Sequence, residues 1–143
     1  MNEQKVTTAK ELRDFARLEP DEAFTFINKN IALWSKLVDS DPFDSADVVE
    51  EFEPREAAIL TEALSTEHAI KLFSSLRPRA IIDILGFLDI DKASDIFENL
   101  DTEDTVNVLE RSTEEEASEL FGILSKSTRL DIDKRLAYPE DSV

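Results

Sequence analysis

Carboxylates are the side chains that this sequence offers in quantity and in order. Thirty-three Asp and Glu stand against sixteen Lys and Arg over 143 residues, a formal charge of −17. They are unevenly placed. Between Asp89 and Glu119, twelve acidic side chains oppose only Lys92 and Arg111. Asp91 and Asp95 stand four apart, as do Glu115 and Glu119. On a helix that spacing sets like charges side by side, at a cost of roughly a few tenths of a kcal/mol. Sparse carboxylates on a helix face suit Mg²⁺, which takes oxygen ligands, keeps several waters and needs only one or two protein carboxylates. Mn²⁺ and Co²⁺ differ little from it towards such ligands. The competing reading of the same acids is a solvated face, with those near helix N-termini favoured by the dipole. No Asp-x-Asp-x-Asp-Gly loop occurs, which disfavours tight Ca²⁺ binding.

Other chemistries are poorly provided for. There is no Cys, so thiolate metal sites and cysteine nucleophiles are excluded. The single His, His68, reads as a helix-surface residue. Gly86 and Gly122 stand alone, so no phosphate-cradling loop exists, and no Gly-x-Ser-x-Gly elbow is present. Without a nucleophile–base constellation, no enzymatic role is expected. A charge of −17 repels nucleic acid and anionic lipid and attracts cations and basic partners. The longest near-apolar run, Ala80 to Leu88, is interrupted by Asp83 and is too short to span a membrane. Met1 leads into Asn2, Glu3, Gln4 and Lys5 with no apolar stretch behind them, so no signal peptide is expected there.

The elements that must carry the acids follow from an internal repeat. Cut every twelve residues from Asp41, the chain aligns without gaps as far as Leu136. Position eight reads Val48, Leu60, Leu72, Ile84, Ile96, Val108, Leu120 and Ile132. Position twelve reads Phe52, Leu64, Leu76, Leu88, Leu100, Ser112, Leu124 and Leu136. Positions five and nine are also mostly apolar, and five, eight, nine and twelve form one face of an α-helix. Position one and its neighbours carry start signals: Asp41-Pro42, Ser65-Thr66, Asp89 and Asp101-Thr102. Pro42, Pro54 and Pro78 fall where a first helical turn tolerates them, and Thr113 with Glu116 has capping-box spacing.

Each block therefore predicts one short helix of about nine residues and a turn of about three. Helices that short are unstable alone and must stack. The fold class expected is all-α: a superhelical, solenoid-like stack of short helical repeats, two blocks to a hairpin. Ahead of it, Thr7 to Leu18 reads as one amphipathic helix. Asp21 to Val38 reads as a single longer one with Ala23, Phe24, Ile27, Ile31, Trp34, Leu37 and Val38 on one face. Residues 1–40 then cap the repeats of 41–136, and 137–143 form a linker. Trp34 and the Phe residues fall at core spacing, with an exposed anchor the alternative for Trp34.

The twelve-residue blocks, followed by Leu136-Ala137-Tyr138-Pro139-Glu140-Asp141-Ser142, resemble the cytosolic N domain of the MgtE family of magnesium transporters. The likeness covers roughly residues 41–143. It implies a domain from a longer membrane protein, on the cytoplasmic side of the inner (plasma) membrane, with a pair of CBS domains and a transmembrane pore beyond it. It also implies a regulatory role. In that family Mg²⁺ bridges acidic residues of this domain and of the CBS domains, holding the assembly compact and the pore shut. The family's sensing carboxylates stand i and i+4 on a late repeat helix, which Asp91 and Asp95 match. Slipped by one block, the pair becomes Glu103 and Asn107. Dimerisation, in the family, belongs mainly to other domains. The competing expectation is an ion-independent protein-interaction scaffold, as in the short helical repeats of the flagellar rotor protein FliG.

Overall fold

Position one of each block is where a helix begins. The computed structural model describes residues 6–137 and contains eleven short helices and no strand among them. From Asp41 onward these are α4 (Pro42–Val49), α5 (Pro54–Glu62), α6 (Thr66–Phe73), α7 (Pro78–Leu85), α8 (Ile90–Glu98), α9 (Thr102–Glu110), α10 (Glu114–Gly122) and α11 (Lys126–Ala137). Asp41, Glu53, Ser65, Arg77, Asp89, Asp101 and Thr113 are the N-caps of α4 to α10. The predicted box is present: Thr113 Oγ1 accepts from the Glu116 amide at 3.1 Å, and Glu116 Oε1 accepts from the Thr113 amide at 3.0 Å. Pro42, Pro54 and Pro78 occupy the first helical turn, where a missing N–H costs nothing.

Burial follows the repeat. Every residue at position eight from Val48 to Ile132 is buried, and so is position twelve except Ser112, among the described residues. Position five is small in most blocks, with buried Ile81 the large exception. It holds Ala57, Ala69 and Ala93, with Ser45 and Thr105 standing in at similar size, and all five are buried. After each helix the chain keeps bonding backwards. The amides of Glu51 and Phe52 donate to Val48 and Val49, a geometry repeated through Leu124. These tightened last turns satisfy carbonyls that would otherwise be orphaned and swing the position-twelve side chain into the core. The Leu136 side chain and the Tyr138-Pro139-Glu140-Asp141-Ser142 segment, with the linker reading placed on it, lie outside the described residues.

The first forty residues hold three helices, not two: α1 (Ala9–Leu18), α2 (Pro20–Lys29) and α3 (Ile31–Ser40). The single helix expected over Asp21–Val38 is broken at Asn30, which has φ −132° and ψ 54°. Asn30 Nδ2 donates to the Phe26 carbonyl at 2.8 Å, the acceptor that the Asn30 amide would use in a continuous helix. The amide turns instead to Ile27. This is the competition with the backbone that makes Asn a poor mid-helix residue. The break lets α2 pack against α1 and α5 while α3 packs against α4 and α6.

The N-caps Thr8, Glu19, Asn30 and Asp41 are eleven residues apart, and thereafter the caps are twelve apart. In the eleven-residue units one residue ends a helix and starts the next: Glu19, Asn30 and Asp41 each do both. Leu12, Ala23 and Trp34 then fall at position five, and Ala16, Ile27 and Val38 at position nine; all are buried. Packing changes with the spacing. α1, α2 and α3 pack on α4, α5 and α6, the third helix along, whereas α4 to α7 and α9 pack on the second helix along. Trp34 is core: it is 1% exposed, and its Nε1–H donates to the Leu60 carbonyl at 3.0 Å.

Candidate functional site

The acid-rich stretch occupies α8, α9 and α10. Three of its twelve acids, Asp89, Glu98 and Glu116, are committed to capping or tying helices. Asp89 caps α8, accepting from the Asp91 amide at 3.2 Å. Glu98, at the end of α8, accepts from the Ser125 amide at the start of α11 and from Thr128 Oγ1 at 2.9 Å. Glu62, at the end of α5, accepts from the Asp89 amide at 2.8 Å, and Glu50 from the Arg77 amide at 3.2 Å. Glu50, Glu62 and Glu98 share position ten of their blocks. Each reaches the first backbone amide of the helix three further on and caps it. A carboxylate suits a helix N-terminus, where unpaired N–H groups and the dipole both favour negative charge. These roles were not foreseen. The recurrence of Glu at position ten is the signal that could have suggested them.

Glu116 serves twice. Besides its box with Thr113, it takes a two-point contact from Arg79, at 3.2 and 2.7 Å, and Arg79 also holds Asp83 at 2.9 Å. This ties α7 to α10. The Arg79 guanidinium, followed by the Thr113 amide, lowers the Glu116 carboxyl to about 2.

Asp91, Asp95 and Glu103 differ from these. All three are exposed, and none has a side-chain hydrogen bond or ion pair among the described residues. Asp91 and Asp95 share a face of α8, as their spacing requires. Glu103 lies in the first turn of α9. Among the described residues no three carboxylate or imidazole groups converge as a metal cage would, and Glu103 stands on a different helix from the α8 pair. It stands instead in a crowded turn with Asp101 and Asp104. There Asp104 is raised above its ordinary value, first by burial and then by the charges of Asp101 and Glu103. The only His, His68, is half-buried, with Nε2 3.6 Å from Asp39 Oδ1, an oxygen that Lys71 Nζ holds at 2.8 Å. Lys71 first, and His68 after it, lower the Asp39 carboxyl.

Among the described residues, two depressions stand out. One, of about 300 Å³, lies among Phe52, Pro54, Arg77, Arg79 and Ile84. The other, of about 650 Å³, is a groove with an apolar floor between α7, α8 and α10. No described helix is long and apolar enough to cross a membrane.

Comparison with known families finds that the model of the MgtE intracellular N domain matches residues 40–141. A search of curated proteins returns no match for the chain.

Proposed function

Because the chain belongs to the MgtE intracellular N domain family, we propose that it is the Mg²⁺-responsive regulatory domain of a magnesium transporter, acting through the uncommitted carboxylates of α8. The observation that carries this reading is a contrast among the carboxylates. Glu62, Glu98 and Glu116 are occupied with backbone amides or Arg79, whereas Asp91 and Asp95 are exposed, adjacent and without a protein partner among the described residues. Two hard oxygen donors on a solvated face are a donor set that Mg²⁺ accepts while retaining most of its waters. Such an ion supplies positive charge between two acidic surfaces. This domain contributes one of them, and a CBS domain of the same polypeptide contributes the other.

The domain's own part is electrostatic. With −17 on this chain, α8 repels any second acidic surface, and the separated arrangement is favoured. A divalent ion held by Asp91 and Asp95 favours the closed arrangement only to the extent that it binds that arrangement more tightly. Half of a bridge binds weakly. The isolated chain is therefore expected to take up Mg²⁺ with millimolar or weaker affinity by calorimetry, and micromolar binding would count against the shared site.

The deciding experiment is protease protection of the full-length protein across a Mg²⁺ titration. Asp91→Asn with Asp95→Asn is expected to move the midpoint of protection to higher Mg²⁺. Glu103→Gln, tested beside it, is expected to do so only if the repeat register of the site is shifted by one block. A midpoint unmoved by the α8 pair removes those residues as ligands.

A further inference from the structure

From α4 onward, alternate helices pack on one another, and among the described helices α8 and α10 are where this fails. Ser94 Oγ on α8 donates to the carbonyl of Ile123, the C-cap of α10, at 2.7 Å. The remaining space is the groove of about 650 Å³. Its floor is Ile82, Leu85 and Leu88, and its walls are Ile90 on α8 and Leu120 and Ile123 at the end of α10.

Three departures from the repeat create this groove. Gly86 and Gly122, the chain's two glycines, both stand at position ten, the place of Glu50, Glu62 and Glu98. Neither is needed for the path of the chain. No glycine has positive φ, and Gly86 is at φ −66°, ψ −17°. A Cβ on Gly86 would meet only the carbonyl oxygens of Asp83 and Ile82, at 3.6 and 4.0 Å, and one on Gly122 would meet nothing within 4 Å. Both glycines line the groove, and neither contributes a side chain to it. The third departure is Ile90. Other blocks have Pro, Thr, Glu or Lys at position two, whereas Ile90 is 65% exposed on the groove wall.

The rim is acidic. Asp83, Glu116 and Glu119 border the groove. Arg79 is engaged with the first two, and Lys92 on α8 donates to the Leu64 carbonyl at 2.6 Å. Glu119, with Glu115 one turn before it, is left facing solvent. An apolar trough between helices, bordered by a net negative rim, is complementary to a helix with an apolar stripe flanked by Lys and Arg. A second copy of this chain would bring the same negative rim and meet repulsion. We propose that the α7–α8–α10 groove is a docking site for a basic amphipathic helix of a partner protein segment, independent of the cation-responsive pair on α8.

The test uses the whole chain and a fluorescent Leu/Lys amphipathic peptide at physiological ionic strength, with two controls: a scrambled peptide of the same composition and a Leu/Glu analogue. Amide chemical-shift changes on the wild-type chain are expected to concentrate on α7, the start of α8 and α10. Gly86→Leu and Gly122→Leu are expected to keep the helical circular dichroism signal and to weaken the Leu/Lys peptide by about tenfold or more. Ile90→Glu, at an exposed position that cannot threaten the core, is expected to do the same. Equal binding of the scrambled peptide, shifts spread over the acidic surface, or affinity indifferent to all three substitutions would overturn the proposal in favour of diffuse charge attraction. Binding of the Leu/Glu peptide as tightly would overturn the assigned chemistry. A concentration-dependent dimer abolished by Gly86→Leu would show that the occupant is a second copy.

Discussion

Single side chains account for departures that the repeat pattern cannot. Ser45 stands at position five, where Ala57, Ala69 and Ala93 stand in other blocks. It is fully buried, and its Oγ has no partner among the described residues. A buried hydroxyl without a hydrogen bond is a net cost. Ser45→Ala is therefore expected to raise stability by about 1 kcal/mol, measured by urea unfolding. An unchanged midpoint would mean that the hydroxyl is satisfied by a buried water. Trp34 shows the opposite solution at the same position: a large side chain whose one polar atom reaches the Leu60 carbonyl. Glu116 carries a pH signature. Its carboxyl is lowered from 4.5 to about 2 by Arg79 and the Thr113 amide. A lowered carboxylate stabilises the fold fully above its unfolded value and loses that effect as pH falls towards its folded one. Acid unfolding between about pH 4.5 and 2 is thus expected to be shallower in Glu116→Gln than in the wild type, with Arg79→Gln behaving alike. Parallel curves across that window would show that the tie contributes nothing.

Helices and their junctions were readable where the period of twelve rules, and for a physical reason. The same four positions must be apolar in every block because each helix is too short to survive without burying them. The junction at Asn30 was hidden because Ile27, Ile31, Trp34 and Val38 also fit one face of an uninterrupted helix. Only the side-chain bond of Asn30 to Phe26 and the need of α2 and α3 for different neighbours decide otherwise. The cross-block caps were hidden for a different reason. Their acceptors are Glu, but their donors are backbone amides, which leave no mark on the sequence. Glu62→Ala should cost about 1 kcal/mol, the usual value of a lost cap, in thermal or urea unfolding. Glu62→Gln should recover part of it. A loss confined to Glu67→Ala, on the exposed side of α6, would contradict this assignment.

At the scale of the molecule, the −17 charge divides into two populations that composition cannot separate. Some carboxylates are internal fastenings: Glu50, Glu62 and Glu98 at amides, and Glu116 at Arg79. Others, Asp91 and Asp95 among them, face outward with no side-chain partner among the described residues. The α8 pair was visible from its spacing, whereas its availability became evident only when the fastened acids could be subtracted. The groove was invisible for the same kind of reason. It arises from what Gly86 and Gly122 omit, and an omission shows only when neighbouring helices frame it.

The fastenings at position ten have one more consequence. Each carboxylate grips a backbone N–H, a group that any residue but proline supplies, so the grip does not depend on which such block arrives. A gene could therefore gain or lose a stretch coding for twelve residues in frame, and the surviving acids would find new amides in register. Such a molecule can lengthen or shorten by duplication without reinventing its joints, while the open space left by its glycines would be inherited only with the particular blocks that carry them.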